Sequence, residues 1–304
     1  MRKISSAAMI VNAKSRRGQA TFKQACQLFQ DVDFPVDAHA VTDPDALEAT
    51  VKAALAKKPD ILILGGGDGT ISGLVDLLVD TDTALGVLPL GTANSFARTL
   101  NIPLDIPGAV AVIAAGHFRR IDLGMIDDDY YANCAALGIS PQIAETVPHG
   151  LKKVLGRVGY LGWAAFQYVR FRPFTLIVDD GEDVTKMRVV EVRISNGRFH
   201  GGTELIEEAE LDSGELIVQA VRGGVKRNLL WSWFASATKL EARHATLMNF
   251  SGKRLKIDTR PSNMPISIDG EVLAHTPIVA RVAAGVIEVA APPAPPASAA
   301  TARA

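Results

Sequence analysis

The first part of the chain alternates short apolar runs with longer amphipathic stretches. Four runs have strand length, Ala7–Val11, Val36–Val41, Ile61–Leu64 and Leu85–Leu88. The stretches around them predict helices at Gln19–Phe29, from Asp43 and Pro44 to about Lys57, from Thr70, after Asn94 and at Pro107–Ala115. Strands and helices that alternate in this way predict an α/β fold with a doubly wound parallel sheet.

After about Asp127 the pattern changes to alternation with period two. Val190, Val192 and Ile194 alternate with Glu191 and Arg193, and later segments repeat the pattern. This period predicts half-buried antiparallel strands, which we interpret as a β-sandwich. Helical patterns interrupt it around 151–168 and 229–240.

The two patterns predict an α/β domain at 1–126 and a β-sandwich domain at 127–290. An Ala- and Pro-rich segment at 291–304 is predicted to be a disordered tail. A length of 304 residues agrees with two domains.

Composition narrows the class of protein. A net charge of −1 argues against a nucleic-acid partner bound by bulk positive charge. Two cysteines provide no disulfide framework, and no apolar run is long enough to span a bilayer. We expect a soluble, cytoplasmic protein, with peripheral binding at the inner membrane face and a homodimer as open alternatives.

The first candidate ligand-binding motif is the glycine-rich loop 65–70, Gly-Gly-Gly-Asp-Gly-Thr, which directly follows a predicted apolar strand. Glycine allows close backbone approach to a bound group, and a helix start offers unpaired N–H groups with a positive dipole end. These features predict a phosphate site. The loop lacks the Lys-Ser/Thr ending of a P-loop, so the nucleotide is held differently.

A second Gly-Thr turn follows the next predicted strand, at Gly91 and Thr92. Both turns would lie at the carboxyl edge of one parallel sheet, where such folds bind ligands. Thr92 and Asn94 are equally consistent with phosphate contact and with capping of the next helix. The loop 12–18, with Lys14, Arg16 and Arg17, is either a further phosphate contact or a solvated basic loop.

These motifs, followed by Asp122 in Ile-Asp-Leu-Gly and by Asp269-Gly270-Glu271, resemble bacterial lipid kinases of the diacylglycerol kinase catalytic-domain family, which includes sphingosine kinases. The resemblance implies transfer of the γ-phosphoryl group of ATP to a lipid hydroxyl, diacylglycerol-like or sphingoid. It implies ATP and Mg²⁺ as cofactors and a lipid substrate at a membrane surface. It also implies that 1–126 is the nucleotide-binding kinase domain and that the β-sandwich domain contributes catalytic residues and the lipid site. Ala13 stands where the family usually has proline.

The resemblance also implies residue roles. Glu271 would be the base that accepts the hydroxyl proton, and Asp269, Asp122 and Asp68 would organise water and Mg²⁺. Taken alone, Asp-Gly-Glu favours a hairpin turn over a catalytic role, and the ordered partner motifs reverse that preference. The implied nucleotide-binding set is Asn12, Thr42, Gly65, Gly66, Gly67, Asp68, Gly69, Thr70, Gly91, Thr92 and Asn94.

Two positions depart from the family pattern. Ser95 stands where aspartate is usual. The turn 211–216 resembles one that holds a structural magnesium, which we assign to Glu210, Ser213 and Glu215. Ser213 replaces an aspartate there, and a hydroxyl is a poorer ligand for a hard dication.

The acceptor site is sought in a basic, aromatic-rich segment at 151–172, which either lies at a membrane surface or packs on the β-domain. Its basic residues are Lys152, Lys153, Arg157, Arg170 and Arg172. Two alternatives to a lipid kinase stay open. One is an NAD kinase-like enzyme, and the other is a nucleotide- or lipid-binding protein with weak catalysis.

Overall fold

The computed structural model describes residues 3–138, 171–223, 247–269 and 271–293. The chain divides into two compact units, one formed by Met1–Ile121 with Val286–Ala304 and the other by Asp122–Gly285. No helix within the described ranges combines the length and apolar character that crossing a membrane requires.

The first unit contains four parallel strands, β1 Ala7–Asn12, β2 Val36–Val41, β3 Ile61–Gly66 and β4 Ala84–Pro89. They form a sheet in the order β4-β3-β1-β2. Every residue of β3 and β4 is buried. The helices are α1 Arg16–Leu28, α2 Leu47–Leu55, α3 Asp68–Val75, α4 Ser95–Thr99 and α5 Ile106–Ala114, with 3₁₀ turns at Phe29–Asp31, Pro44–Ala46 and Asp76–Leu78.

This architecture confirms the predicted α/β domain and shifts several boundaries. Helix α1 begins at Arg16 rather than Gln19, because the Ser15 hydroxyl accepts the Gly18 N–H at 3.0 Å and caps it. The predicted helix from Asp43 begins as a 3₁₀ turn and becomes α-helical only at Leu47.

The glycine-rich loop is shorter than expected. Strand β3 continues through Gly65 and Gly66, whose backbones pair with Leu88 and Pro89 of β4. Helix α3 already begins at Asp68, so Gly67 alone separates strand from helix.

The second unit consists of antiparallel strands centred on β9, which pairs with β7, β8 and β12. Its architecture is the predicted β-sandwich. Strands β5 and β17 carry the chain between the two units. The strands are β5 Phe118–Ile126, β6 Asp129–Tyr131, β7 Cys134–Gly138, β8 Phe174–Asp179, β9 Val184–Ser195, β10 Phe199–His200, β11 Thr203–Glu204, β12 Leu216–Arg222, β13 Leu247–Gly252, β14 Arg254–Arg260, β15 Pro265–Ile268, β16 Glu271–His275 and β17 Ile278–Ala290.

The C-terminal half of β9, residues 189–195, is buried on both faces, which the alternating pattern did not predict. Val190, Val192 and Ile194 belong to the apolar core of the unit. Glu191 and Arg193, expected on a solvent-facing side, are each only 1% exposed. The central strand of this unit therefore buries a charged pair.

The domain boundaries also differ from the expected ones. The structure divides the chain after Ile121 instead of residue 126, and it returns residues from Val286 onward to the first unit. Ala291, expected to begin the tail, is fully buried and donates its N–H to the carbonyl of His117 at 3.1 Å. Residues 294–304 lie outside the described part of the chain.

Helix α5 provides a test of local capping. The Asp105 carboxylate accepts the Gly108 N–H at 2.8 Å at the helix start. Asp105→Ala removes this acceptor and is expected to lower the free energy of unfolding by about 1 kcal/mol. Asp105→Ser keeps a capping oxygen and should lose much less. Equal denaturant midpoints for both variants and the wild type would show that the cap does not stabilise the domain.

Candidate nucleotide and catalytic site

The four parallel strands bring most of the predicted nucleotide-binding residues to one sheet edge. Asn12 ends β1 opposite Val41, the last residue of β2, and Gly66 ends β3 opposite Pro89. Thr42 and Thr92, each just beyond a strand, are exposed at this carboxyl edge. The expected juxtaposition of the two glycine turns is therefore present within the first unit.

Packing inside the protein accounts for three of the loop glycines. A Cβ on Gly65 would approach a Val11 methyl to 2.8 Å, and one on Gly66 would overlap the side chain of Thr70. A Cβ on Gly67 would lie 3.1 Å from the Cα of Gly91 in the second turn. These glycines let two strands and two turns pack closely, which does not require a ligand.

Gly69 is different, because a Cβ there would meet no atom within 4 Å. It is exposed in the first turn of α3, and the N–H groups of Thr70 and Ile71 both bond to the Gly67 carbonyl. The helix itself cannot satisfy the N–H groups of Asp68 and Gly69, which precede these two. Gly69 thus combines open space with unpaired N–H groups at the positive end of a helix, which are the features that a bound phosphate requires.

Asp68 joins the two turns. Its carboxylate accepts the Phe96 N–H at 3.1 Å, in the first turn of α4. The predicted catalytic aspartate therefore also caps the helix of the second motif. Its replacement by alanine would remove both a charge and a structural acceptor.

The second turn is closed by its own side chains. The Asn94 amide accepts the Gly91 N–H at 2.8 Å and donates to the Gly91 carbonyl at 2.9 Å, while Asn94 adopts a left-handed backbone with φ 48°. Arg98 Nε donates to the Ala93 carbonyl at 2.9 Å. The Asn94 side chain thus closes the loop onto Gly91. These bonds are neither a side-chain cap of α4 nor a phosphate contact, the two roles predicted for Asn94.

In the second unit, Asp122 is a buried hub with 3% exposure. One carboxylate oxygen accepts the Gly214 N–H and the other the Gly285 N–H, each at 2.7 Å. Its carbonyl accepts from the Asn196 amide at 2.8 Å. These bonds hold the turn near Gly214 and the strand β17 together, and a magnesium role for Asp122 stays a prediction.

Asp269 is held in a similar way. Its carboxylate accepts the N–H groups of Ala132 and Asn133, both at 3.2 Å, and that of Cys134 at 2.9 Å. Asp269 has φ 45° in the turn between β15 and β16, and Glu271 is the first residue of β16, paired with Ile268. The motif is thus a hairpin turn tied to β7, and the Glu271 side chain lies outside the described features.

Cys134, whose backbone N–H donates to the Asp269 carboxylate, also carries a buried thiol. Burial, and secondarily the negative charge of Asp269, raises the pKa of the Cys134 thiol to about 12. The thiol therefore stays protonated at neutral pH, and Cys134 contributes packing rather than chemistry.

The residues assigned to a structural magnesium do not fit a metal site. The Ser213 hydroxyl lies 3.0 Å from the Glu210 carbonyl oxygen and 3.2 Å from that of Glu215, and the Glu210 carboxylate pairs with Arg198 at 2.7 Å. The hydroxyl thus fills the space between the two carbonyls. Within the described ranges no group of three or more His, Cys, Asp or Glu residues could hold a metal ion.

The basic, aromatic-rich segment falls mostly on residues 139–170, which lie outside the described part of the chain. The second helical pattern, at 229–240, also lies outside it. Lys152, Lys153, Arg157 and Arg170 lie in this range. Sequence reasoning also missed Gly214 and Gly285, which bind Asp122. Both have positive φ, and their glycine identity was the only signal.

Comparison with known proteins identifies the class. Residues 6–126 match the family model described as diacylglycerol kinase catalytic domain. Residues 134–291 match the YegS C-terminal NAD kinase beta sandwich-like domain. The chain belongs to this diacylglycerol kinase family, and it is an ATP-dependent lipid kinase.

Individual relatives agree. The chain is 28% identical over 245 residues to a diacylglycerol kinase of Staphylococcus epidermidis, covering 74% of this chain and 72% of the relative. It is 27% identical to one from Staphylococcus aureus, with the same coverage. The fold matches a crystal structure of a diacylglycerol kinase from Bacillus anthracis with a TM-score of 0.77, at 22% identity and covering 97% of this chain and 99% of that one.

Gly69 yields a sharp test of the phosphate site. Gly69→Ala should lower ATP affinity by at least about tenfold, because a methyl group would fill the open space at the helix start. The matched control is Gly73→Ala, which lies in the same helix and also meets no atom within 4 Å. It should leave ATP affinity unchanged. Equal ATP titrations for the two variants would contradict a phosphate at Gly69.

The Ser213 turn yields a test of metal dependence. The thermal midpoint of the wild type without nucleotide should not respond to millimolar Mg²⁺, because we expect no ion to bind this turn. An ion that bound only the folded state would raise the midpoint by linkage. Ser213→Asp restores a carboxylate and should introduce a response. A magnesium-dependent midpoint in the wild type would show that the turn binds the ion after all.

Proposed function

We propose that this kinase phosphorylates the free hydroxyl of a diacylglycerol-type lipid, with the ATP phosphates bound at the first turn of α3. The observation that carries the nucleotide site is the open space at Gly69 beside helix N–H groups. The family and the curated relatives support the acceptor class. Peripheral contact with a membrane surface follows from a lipid acceptor and belongs to the same proposal.

The reaction forms a bond between the lipid hydroxyl oxygen and the γ-phosphorus of ATP. The bond from that phosphorus to the β–γ bridging oxygen breaks, so ADP leaves with its electron pair. The hydroxyl proton passes to the carboxylate of Glu271, which we assign as general base. A positioned base contributes roughly 10²–10⁴-fold to such a step.

Asp68 has two tasks in this proposal. Its carboxylate fixes α4 through Phe96, and its charge lies at the start of α3 beside the proposed phosphate site. Magnesium bound to the triphosphate would neutralise phosphate charge, and Asp68 is the carboxylate of this edge that fits the ion, directly or through water. We assign Asp122 and Asp269 a positioning role instead, because both accept backbone N–H groups with both carboxylate oxygens.

Asp68→Asn tests the proposal without disturbing the cap, since the amide oxygen can still accept the Phe96 N–H. Phosphorylation of dioctanoylglycerol in mixed micelles should fall at least about 100-fold, from loss of charge at the phosphate site. The thermal midpoint should stay close to that of the wild type. Normal turnover in this variant would remove Asp68 from the mechanism.

Glu271→Gln tests the base. It should lower kcat by about 10²–10⁴-fold while ATP affinity stays unchanged, because only proton transfer is lost. A fall in ATP affinity as large as the fall in kcat would place Glu271 at the donor phosphates instead.

An NAD kinase-like activity is the second candidate, favoured by the name of the family matched by residues 134–291. Parallel assays with NAD and dioctanoylglycerol separate the two. We expect phosphate transfer to the lipid alone. Transfer to NAD alone would overturn the lipid proposal.

A further inference from the structure

The sheet of the second unit carries a buried polar cluster formed by Glu191, Arg193 and Gln219. Glu191 and Arg193 lie two residues apart on β9, and Gln219 of β12 is directly opposite Arg193. Their exposed fractions are 1%, 1% and 2%. Val190 and Val192, the alternate residues of β9, belong to the apolar core instead. The cluster therefore occupies a face of its own.

Hydrogen bonds use only part of the Arg193 guanidinium. Nε donates to Glu191 Oε1 at 3.0 Å, and Nη1 donates to Gln219 Oε1 at 2.8 Å. Nη2 is equally buried and has no hydrogen-bond partner among the residues that the structure describes. One donor group of a buried charged side chain thus has no acceptor among the described residues.

An unused buried donor is unfavourable, and native structures usually satisfy such a group with protein, water or ligand. Glu191 already neutralises the charge of Arg193. A phosphate or carboxylate at Nη2 would add an uncompensated negative charge in a buried place. A neutral acceptor, such as an ester carbonyl, matches the donor without this penalty.

The strand register places the cluster near the hairpin of the second unit that leads to Glu271. Arg193 is opposite Ala136 of β7, which is opposite Ser267 of β15. Two strand spacings, about 10 Å, therefore separate the backbones of Arg193 and Ser267. Ser267 lies two residues before Asp269 in the hairpin that leads to Glu271. The small side chain of Ala136 lies between the cluster and that hairpin.

We propose that Arg193 Nη2 donates a hydrogen bond to an ester carbonyl of the acceptor lipid, and so selects acylglycerols over sphingoid and ether lipids. This inference rests on the proposed lipid kinase function and deepens it. Arg193 acts here as a specificity-determining residue, held in place by Glu191 and Gln219. Neither composition nor motif pointed to it.

The first experiment compares two substrates of the wild-type enzyme. Dioctanoylglycerol carries ester carbonyls, and 1,2-dioctylglycerol has ether oxygens with the same chain length and the same free hydroxyl. We expect kcat/KM to be at least about tenfold higher for the ester, mainly through KM, as the loss of one buried hydrogen bond predicts.

The second experiment links the preference to Arg193. Removing arginine alone would leave Glu191 buried and unpaired, so Glu191→Leu is combined with Arg193→Met. Arg193→Lys, which keeps the buried charge and loses Nη2, is the second variant. Both should lower kcat/KM on the ester to the ether level and leave the ether rate unchanged. Arg222→Met, an exposed position on β12, is the matched control and should keep the preference.

Each outcome decides a separate question. Equal wild-type rates on the two lipids would overturn the inference while leaving the lipid kinase proposal intact, and Nη2 would then be satisfied by water. An ester preference that survives in Arg193→Lys would also overturn it. No turnover of either lipid by an enzyme that binds ATP would contradict the proposed function itself.

Discussion

The first unit depends on the close approach of two backbones, those of Gly67 and Gly91. A Cβ on Gly91 would lie 2.7 Å from the Gly67 Cα and one on Gly67 would lie 3.1 Å from the Gly91 Cα, so a side chain on either glycine would push the two turns apart. This contact sets the two turns side by side and brings Asp68 within hydrogen-bonding distance of α4. The start of α3 is left facing open space at Gly69. The geometry that a phosphate needs thus follows from packing between two strands and their turns.

Three acidic residues of the family motifs accept hydrogen bonds from backbone N–H groups. Asp68 accepts one from Phe96, Asp122 accepts two from glycines with positive φ, and Asp269 accepts three from successive residues. Backbone donors that would otherwise be unpaired are satisfied by charge-assisted bonds. A carboxylate used in this way holds a loop firmly, and mutation to alanine mixes a structural loss with a chemical one. Amide substitutions separate the two effects more cleanly.

The sequence predicted the architecture well because apolar periodicity reports burial directly. Strands β1 to β4 and the change to antiparallel strands after Asp127 follow from that signal, and the motifs identified the carboxyl edge of the sheet. Periodicity failed at β9, where Glu191 and Arg193 alternate with valines as on a solvent-facing strand but are buried. The two charges pair with each other, and Gln219, which completes the cluster, lies on β12 and is remote in sequence, so no local pattern could show that this face is buried. The return of the chain to the first unit at Val286 was missed because it lies within the single strand β17, where no change of pattern marks it.

The turn around Ser213 is held by polar groups of the chain itself. Two carbonyl groups converge on the Ser213 hydroxyl, at 3.0 and 3.2 Å. A divalent ion between them would bind both at once and would make the stability of the turn depend on ion concentration. A hydroxyl has one proton to share between the two carbonyls, so its bonds are weaker but always present. The buried carboxylate of Asp122 also holds this turn, because it accepts the Gly214 N–H at 2.7 Å. These bonds are the reason we expect the stability of the β-domain not to depend on magnesium, whatever catalysis requires.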